Sequence, residues 1–245
     1  MKKYLQIINI RTLLVLLTCG FTSFFAIRLN VKFDFDLTIL SIAIVFPLVF
    51  TIRAAFRRRE KALEHLSRFK GCMMIVYYCF QRNKKLTDEK KAFIREKLMQ
   101  ISDTLVIHLS THNHDGVDLK NNLHGVFQFI HDHKEEISTS EAMKIFRFLK
   151  DVHTTIENTI AIDTHRTPIS LRAYCLVFIY FFPFIYTPAL LDRLNNTSPD
   201  WVVYGLSMVT GFILISLYNV QDQMEDPYDQ KGLDDIRLEE FKFLG

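Results

Sequence analysis

Glycine is scarce in this chain of 245 residues, eight in all, and tryptophan occurs once. No stretch sustains the apolar–polar alternation of a half-buried strand, and nothing repeats along the chain. A sheet protein joined by tight glycine turns is thereby excluded. The four cysteines, Cys19, Cys72, Cys79 and Cys175, are scattered and form neither a disulfide framework nor a zinc spacing. They read as buried, inert thiols. There is no glycine-rich phosphate loop, no Cys/His triad setting and no nucleophile elbow. The expectation is that this is not an enzyme. A formal net charge of +3 gives no basis for a nucleic-acid partner.

What the sequence does have is segregation. Apolar residues make up 49% and charged residues 23%, but the apolar blocks lie at both ends and the charge lies between them. Leu37 to Ile52 is sixteen residues without a charge, and Ala54 to Phe56 are still apolar. A helix from Leu37 to Phe56 reaches about 30 Å, the thickness of a bilayer's hydrocarbon core. Arg57, Arg58 and Arg59 then form a basic stop of the kind found on the cytoplasmic side. Pro47 and Arg53 interrupt this span. Arg53 fits a polar pathway, and equally a side chain snorkelling to the inner headgroups.

Three further spans are expected: 12–27, 171–191 and 201–220, beside 37–56. The first resembles a signal peptide, but its apolar character continues past Cys19 through Phe21, Phe24 and Phe25. Thr167 and Pro168 read as N-cap and first helical residue of the third span. Trp201, Tyr204 and Tyr218 read as interfacial aromatics at the two ends of the fourth. The segment 57–166 carries nineteen Lys and Arg against fifteen Asp and Glu, far too polar to cross. Its apolar residues recur helically: Ile94, Leu98, Ile101, Leu105 and Leu109 in one stripe, Ile145, Leu149, Val152, Ile156 and Ile160 in another. Thr87 before Asp88 and Glu89 marks a helix start, and Ser138 with Glu141 a capping box. The apolar, aromatic Gly71–Phe80 should pack against neighbouring helices, and His112–Asn122 is the expected loop. The fold class is all-α membrane protein, four transmembrane helices with a cytoplasmic helical layer. The two exterior links hold only Arg28, Lys32 and Arg193 of the thirty Lys and Arg, which places both termini in the cytoplasm.

All nine histidines fall between His65 and His165. His108, His112, His114, His131 and His133 would have to converge to hold a metal, and a solvated polar face accounts for them better. In the acidic segment 221–245, Glu225, Asp226, Asp229, Asp234, Asp235, Glu239 and Glu240 crowd a stretch broken by Pro227 and Gly232. Oxygen-rich loops can hold calcium, though this spacing is no EF-hand; an acidic juxtamembrane turn is the simpler account.

A last apolar helix closing on Glu225-Asp226-Pro227-Tyr228-Asp229 resembles the bestrophin signature, an acidic-Pro-aromatic turn after the final membrane helix. Thr167-Pro168-Ile169 is similar to that family's start of the third span. Phe46-Pro47-Leu48-Val49-Phe50 resembles its pore-lining segment. The four-span layout agrees over nearly the whole chain, as in the short bacterial members. The resemblance implies a homopentameric anion channel, chloride its permeant ion, with the second helix of each subunit lining a central pore. It places a hydrophobic neck at Phe46, Phe50 and Ala54, anion attraction at Arg53 and Arg57, and a structural or gating turn at Glu225, Asp226, Pro227, Asp229, Asp234 and Asp235. Ala54 stands where the family usually has a third bulky residue, and Arg53 where it has a small one. The tail lacks the unbroken acidic run of the animal members' calcium clasp. Implied partners are further copies of the chain and membrane lipid. Residues 46, 50 and 54 would equally suit packing between helices. A non-conducting scaffold or sensor, whose helical middle binds a partner, is the alternative function.

Overall fold

The computed structural model describes residues 8–111, 117–194, 198–232 and 234–244. Among these the chain forms seven α-helices, a short 3-10 turn and no strand. The helices are α1 (Ile10–Arg28), α2 (Leu37–Arg82), α3 (Asp88–Thr111), α4 (Val117–Asp132), α5 (Thr139–Thr164), α6 (Ile169–Arg193) and α7 (Asp200–Met224), with the 3-10 turn at Leu238–Phe241. Four helices are long and apolar enough to cross a membrane: α1, α2, the helical stretch ending in α6, and α7. The chain divides into two compact units, and the division falls inside α2 after Arg57.

The first unit holds α1, α6, α7 and the first part of α2. Its core joins Val15 and Cys19 of α1, Leu40, Ile44 and Leu48 of α2, Cys175, Ile179 and Phe182 of α6, and Leu214 and Ile215 of α7. Where α1 and α7 cross, a Cβ on Gly211 would stand 2.6 Å from Cys19 Sγ, so only glycine permits the approach. Polar side chains tie the same helices: Asn219 Nδ2 donates to Thr12 Oγ1 at 2.9 Å, and Thr187 and Ser207 hydroxyls meet at 3.0 Å. α1 starts on a capping box made by Asn9 and Thr12. Tyr218, near the end of α7, is buried in this core, and its ring lies under the Arg11 guanidinium, 5.6 Å from centroid to cation.

The second unit holds the rest of α2, α3 to α5 and the chain after Glu225. The three arginines end the apolar run of α2 but not the helix, which continues on strong helix formers. Ala62, Leu66, Phe69, Met73, Val76 and Phe80 recur at helical spacing and are all buried. They meet the buried Ile94, Leu98, Ile101, Leu105 and Leu109 of α3, Leu119, Leu123 and Val126 of α4, and Ile145, Leu149, Val152 and Ile156 of α5. The segment Gly71–Phe80 thus packs as expected. The Ser138–Glu141 capping box forms at the start of α5. The expected loop at 112–122 is shorter at its far end, since Val117–Asn122 already belongs to α4; its apolar Leu119 and Leu123 are drawn onto the core. Residues 112–116, with His112 and His114, lie outside the described residues.

Candidate pore face and acidic turn

α2 has two faces in the first unit. Leu40, Ile44, Leu48, Thr51 and Ala55 are buried. The opposite face carries Phe46, Phe50, Arg53, Ala54 and Arg57, all exposed, because steps of four, three, one and three residues keep them within one narrow arc of the helix. Phe46 is 62% exposed and Phe50 55%, their rings edge to face with centroids 5.2 Å apart. Neither is used in packing this subunit's core. Arg53 and Arg57 extend the stripe beyond the phenyl rings and form no ion pair within the described subunit.

Pro47 sits between the two phenylalanines inside the helix. Having no N–H, it leaves the carbonyl of Ala43 without its helical donor. The Tyr174 hydroxyl of α6 donates to that oxygen at 3.3 Å, a long bond. In hydrocarbon no water could replace it. Tyr174→Phe should therefore lower the thermal stability of the purified protein by about 1 kcal/mol. An unchanged melting curve would show that the carbonyl finds another donor.

At the other ends of the helices Asp222 of α7 accepts from two arginines. Arg11 Nη1 of α1 lies 2.8 Å from Asp222 Oδ2, and Arg172 Nη2 of α6 is hydrogen-bonded to Oδ1. The charge that interrupts the third span is thus paired, which is how an arginine is tolerated there.

Thr167 does not cap α6. The N-cap is Pro168, which has no side-chain cap bond, and the helix begins at Ile169. Thr167 instead serves Glu225, which is only 2% exposed. Its N–H donates to Glu225 Oε1 at 2.6 Å and its hydroxyl to Oε2 at 3.0 Å, with Gln221 Nε2 donating to Oε2 at 3.2 Å. A buried carboxylate needs such donors, and a Thr at this position supplies two.

In the second unit Asp226 accepts from the Tyr228 N–H at 3.2 Å, and the Pro227 carbonyl from the Ile236 N–H at 2.9 Å, closing a compact loop. Tyr228 is fully buried in the core, and burial pushes its hydroxyl pKa up. Beyond it the chain runs along α2 in the same direction. Arg59 Nε donates to the Asp234 carbonyl at 2.5 Å, Lys70 Nζ to that of Glu240 at 2.7 Å, and the rings of Tyr77 and Phe243 meet at 5.4 Å. Asp234 is exposed.

Asp235 accepts from the Gly232 N–H at 2.6 Å, and its carboxyl pKa is pushed up to about 6, first by burial and then by its contact with the Asp229 carboxyl. The pKa is above that of the unfolded chain. Its contribution to stability is therefore complete below the ordinary aspartate range and is lost as pH rises through about 6. The melting temperature should fall as pH rises from the ordinary aspartate range, about 4, to about 6, and Asp235→Asn should remove that part of the fall. An identical pH profile in the variant would assign the titration elsewhere.

No three His, Cys, Asp or Glu side chains converge among the described residues. His108 is buried in α3, while His131 sits exposed at the end of α4 against Asp132 and Lys134. The residues that sequence reasoning passed over are Asp222, Tyr174 and Gln221. Asp222 was legible in principle: with four spans, the starts of α1 and α6 and the end of α7 share a side, so Arg11 and Arg172 needed an acid there.

The fold and these contacts define an all-helical membrane protein. No protein-family model matches the sequence, and no curated protein is significantly similar to it. Solved structures are similar. A bacterial bestrophin homologue from Klebsiella pneumoniae aligns over 94% of this chain and 93% of its own, with TM-score 0.77 and 15% identity. A point variant of the homologue gives TM-score 0.76 at 16% identity over 94% and 93%. A variant described as a membrane protein gives 0.77 at 16% over the same shares. The chain has the bestrophin fold.

Proposed function

We propose that this chain is the subunit of an anion channel, a homopentamer in a bacterial inner membrane that passes chloride through a central pore lined by α2. Residues 57–166 and both termini face the cytoplasm in this reading, because the Lys and Arg concentrate there. The observation that carries it is the stripe of Phe46, Phe50, Arg53, Ala54 and Arg57, left exposed by a chain of bestrophin fold. Repeated about an axis, the phenyl positions become apolar rings, and a narrow apolar ring resists hydration and controls passage. The arginines one and two turns further on would raise the local anion concentration at the pore mouth. Conduction changes no covalent bond, so the reading needs no catalytic residue and no cofactor.

The test is the mass of the detergent-purified protein together with its currents in a planar bilayer. A pentamer with chloride-carrying unitary currents is the expected result. A monomer, or a pentamer silent under all voltages, would leave a scaffold or sensor in its place.

A further inference from the structure

In the first unit, at the level where α1 and α6 begin and α7 ends, two arginines share one acid. Asp222 accepts from Arg11 Nη1 at 2.8 Å and from Arg172 Nη2. One arginine would neutralise it, and the second leaves a net positive charge. We propose that Arg11 and Arg172 together hold the phosphodiester of an anionic phospholipid, with one of its acyl chains lying along α1. The inference rests on the membrane setting of these helices and not on conduction.

Three features go beyond an internal charge cluster. First, the subunit does not supply the missing negative charge. Among the described residues Arg11 pairs with Asp222 alone. Glu225, the next acid of α7, accepts from Thr167 and Gln221 instead. A guanidinium at the membrane boundary needs an anion, and the phosphate of an acidic lipid is one that the membrane itself provides.

Second, the guanidinium groups are reachable and already positioned. The Arg11 side chain is 36% exposed and that of Arg172 22%. Arg11 gives only Nη1 to Asp222, so the rest of its planar fork is left for phosphate oxygens. The buried Tyr218 ring lies beneath the same guanidinium, which sets its place before a lipid arrives and lowers the ordering cost of binding.

Third, an apolar track leads from Arg11 into the bilayer. Leu14, Thr18, Phe21 and Phe25 follow it at steps of three and four residues, within one arc of α1. Leu14, Phe21 and Phe25 are exposed, and the rings of Phe21 and Phe25 meet at 4.4 Å. From Arg11 to Phe25 the helix rises about 21 Å, which passes through one leaflet of a hydrocarbon core about 30 Å thick. A headgroup held at Arg11 thus lays its chain against side chains that the subunit leaves uncovered.

Native mass spectrometry of the full chain in neutral detergent, titrated with phosphatidylglycerol or with phosphatidylcholine of the same acyl chains, tests the proposal. The first lipid bound per subunit should favour phosphatidylglycerol by about tenfold or more in affinity. Arg11→Gln leaves a neutral Arg172–Asp222 pair and should cut that preference to within about twofold. Arg28→Gln, the same loss of charge at the other end of α1, should change it by less than about twofold. If Arg11→Gln fails to fold, Arg11→Lys takes its place: the ammonium can keep the pair with Asp222 but lacks the fork, and the preference should fall about threefold or more. Glycerophosphoglycerol, the same headgroup without chains, should not displace the lipid at equal concentration; full displacement would make a free phosphodiester the ligand and overturn the lipid assignment. Equal affinity for the two lipids, an unchanged preference in the folded Arg11 variant, or an equal loss in Arg28→Gln overturns the proposal. A protein that keeps the preference yet passes no current would count against the channel reading alone.

Discussion

Replacing Phe46 and Phe50 together by alanine should raise the anion current or hold the pore open, with little loss of subunit stability. The two rings are largely solvent-facing within the subunit, so truncation removes no core contact there and leaves no internal cavity. Had they been core residues, each would have cost about 3–5 kcal/mol. Leu48 lies between them on the buried face at 0% exposure, and Leu48→Ala should cost about 2–5 kcal/mol. The pair of experiments separates the two faces of one helix. In the double variant the ring that resists hydration becomes wider and wetter, and the expected readout is larger or ungated unitary current from an oligomer of normal mass. A destabilised oligomer with no gain in current would assign both rings to contacts between subunits.

Glu225→Ala should be the most damaging change in the acidic turn. It strips the Thr167 N–H, the Thr167 hydroxyl and Gln221 Nε2 of their shared acceptor. The buried N–H alone costs about 1–3 kcal/mol when unmet, and the whole set on the order of 3–5 kcal/mol. Thermal unfolding of the purified oligomer measures it, and Glu225→Gln, which keeps an acceptor oxygen, should recover part of the loss. A double-mutant cycle with Thr167→Val is the sharper check. If the two residues act as a unit, the double variant costs clearly less than the sum of the singles. Strict additivity would mean that the contact carries no energy of its own.

The gross architecture was legible because bilayer crossing and helical burial both write themselves as periodicity. The stripe from Ile94 to Leu109 and the apolar block from Leu37 need no partner to be recognised, since hydrophobic spacing follows from 3.6 residues per turn. The Ser138–Glu141 box is equally local. The failures are non-local. Thr167 before Pro168 has the form of a cap, yet its hydroxyl goes to Glu225, fifty-eight residues away. The Tyr174 hydroxyl meets the Ala43 carbonyl, 131 residues away along the chain. One chain's pattern cannot say which distant donor reaches a given acceptor.

The same division runs through the candidate site. Sequence alone determined that Phe46, Phe50 and Ala54 share a face with Arg53 and Arg57, because their spacing puts them within one arc of any α-helix. It could not determine whether that face is buried. Tertiary packing decided it: the core of the first unit takes the opposite side of α2, through Leu40, Ile44 and Leu48, and leaves the phenylalanines outside. Helical phase is a property of the local chain, whereas burial depends on which neighbouring helices arrive and from where.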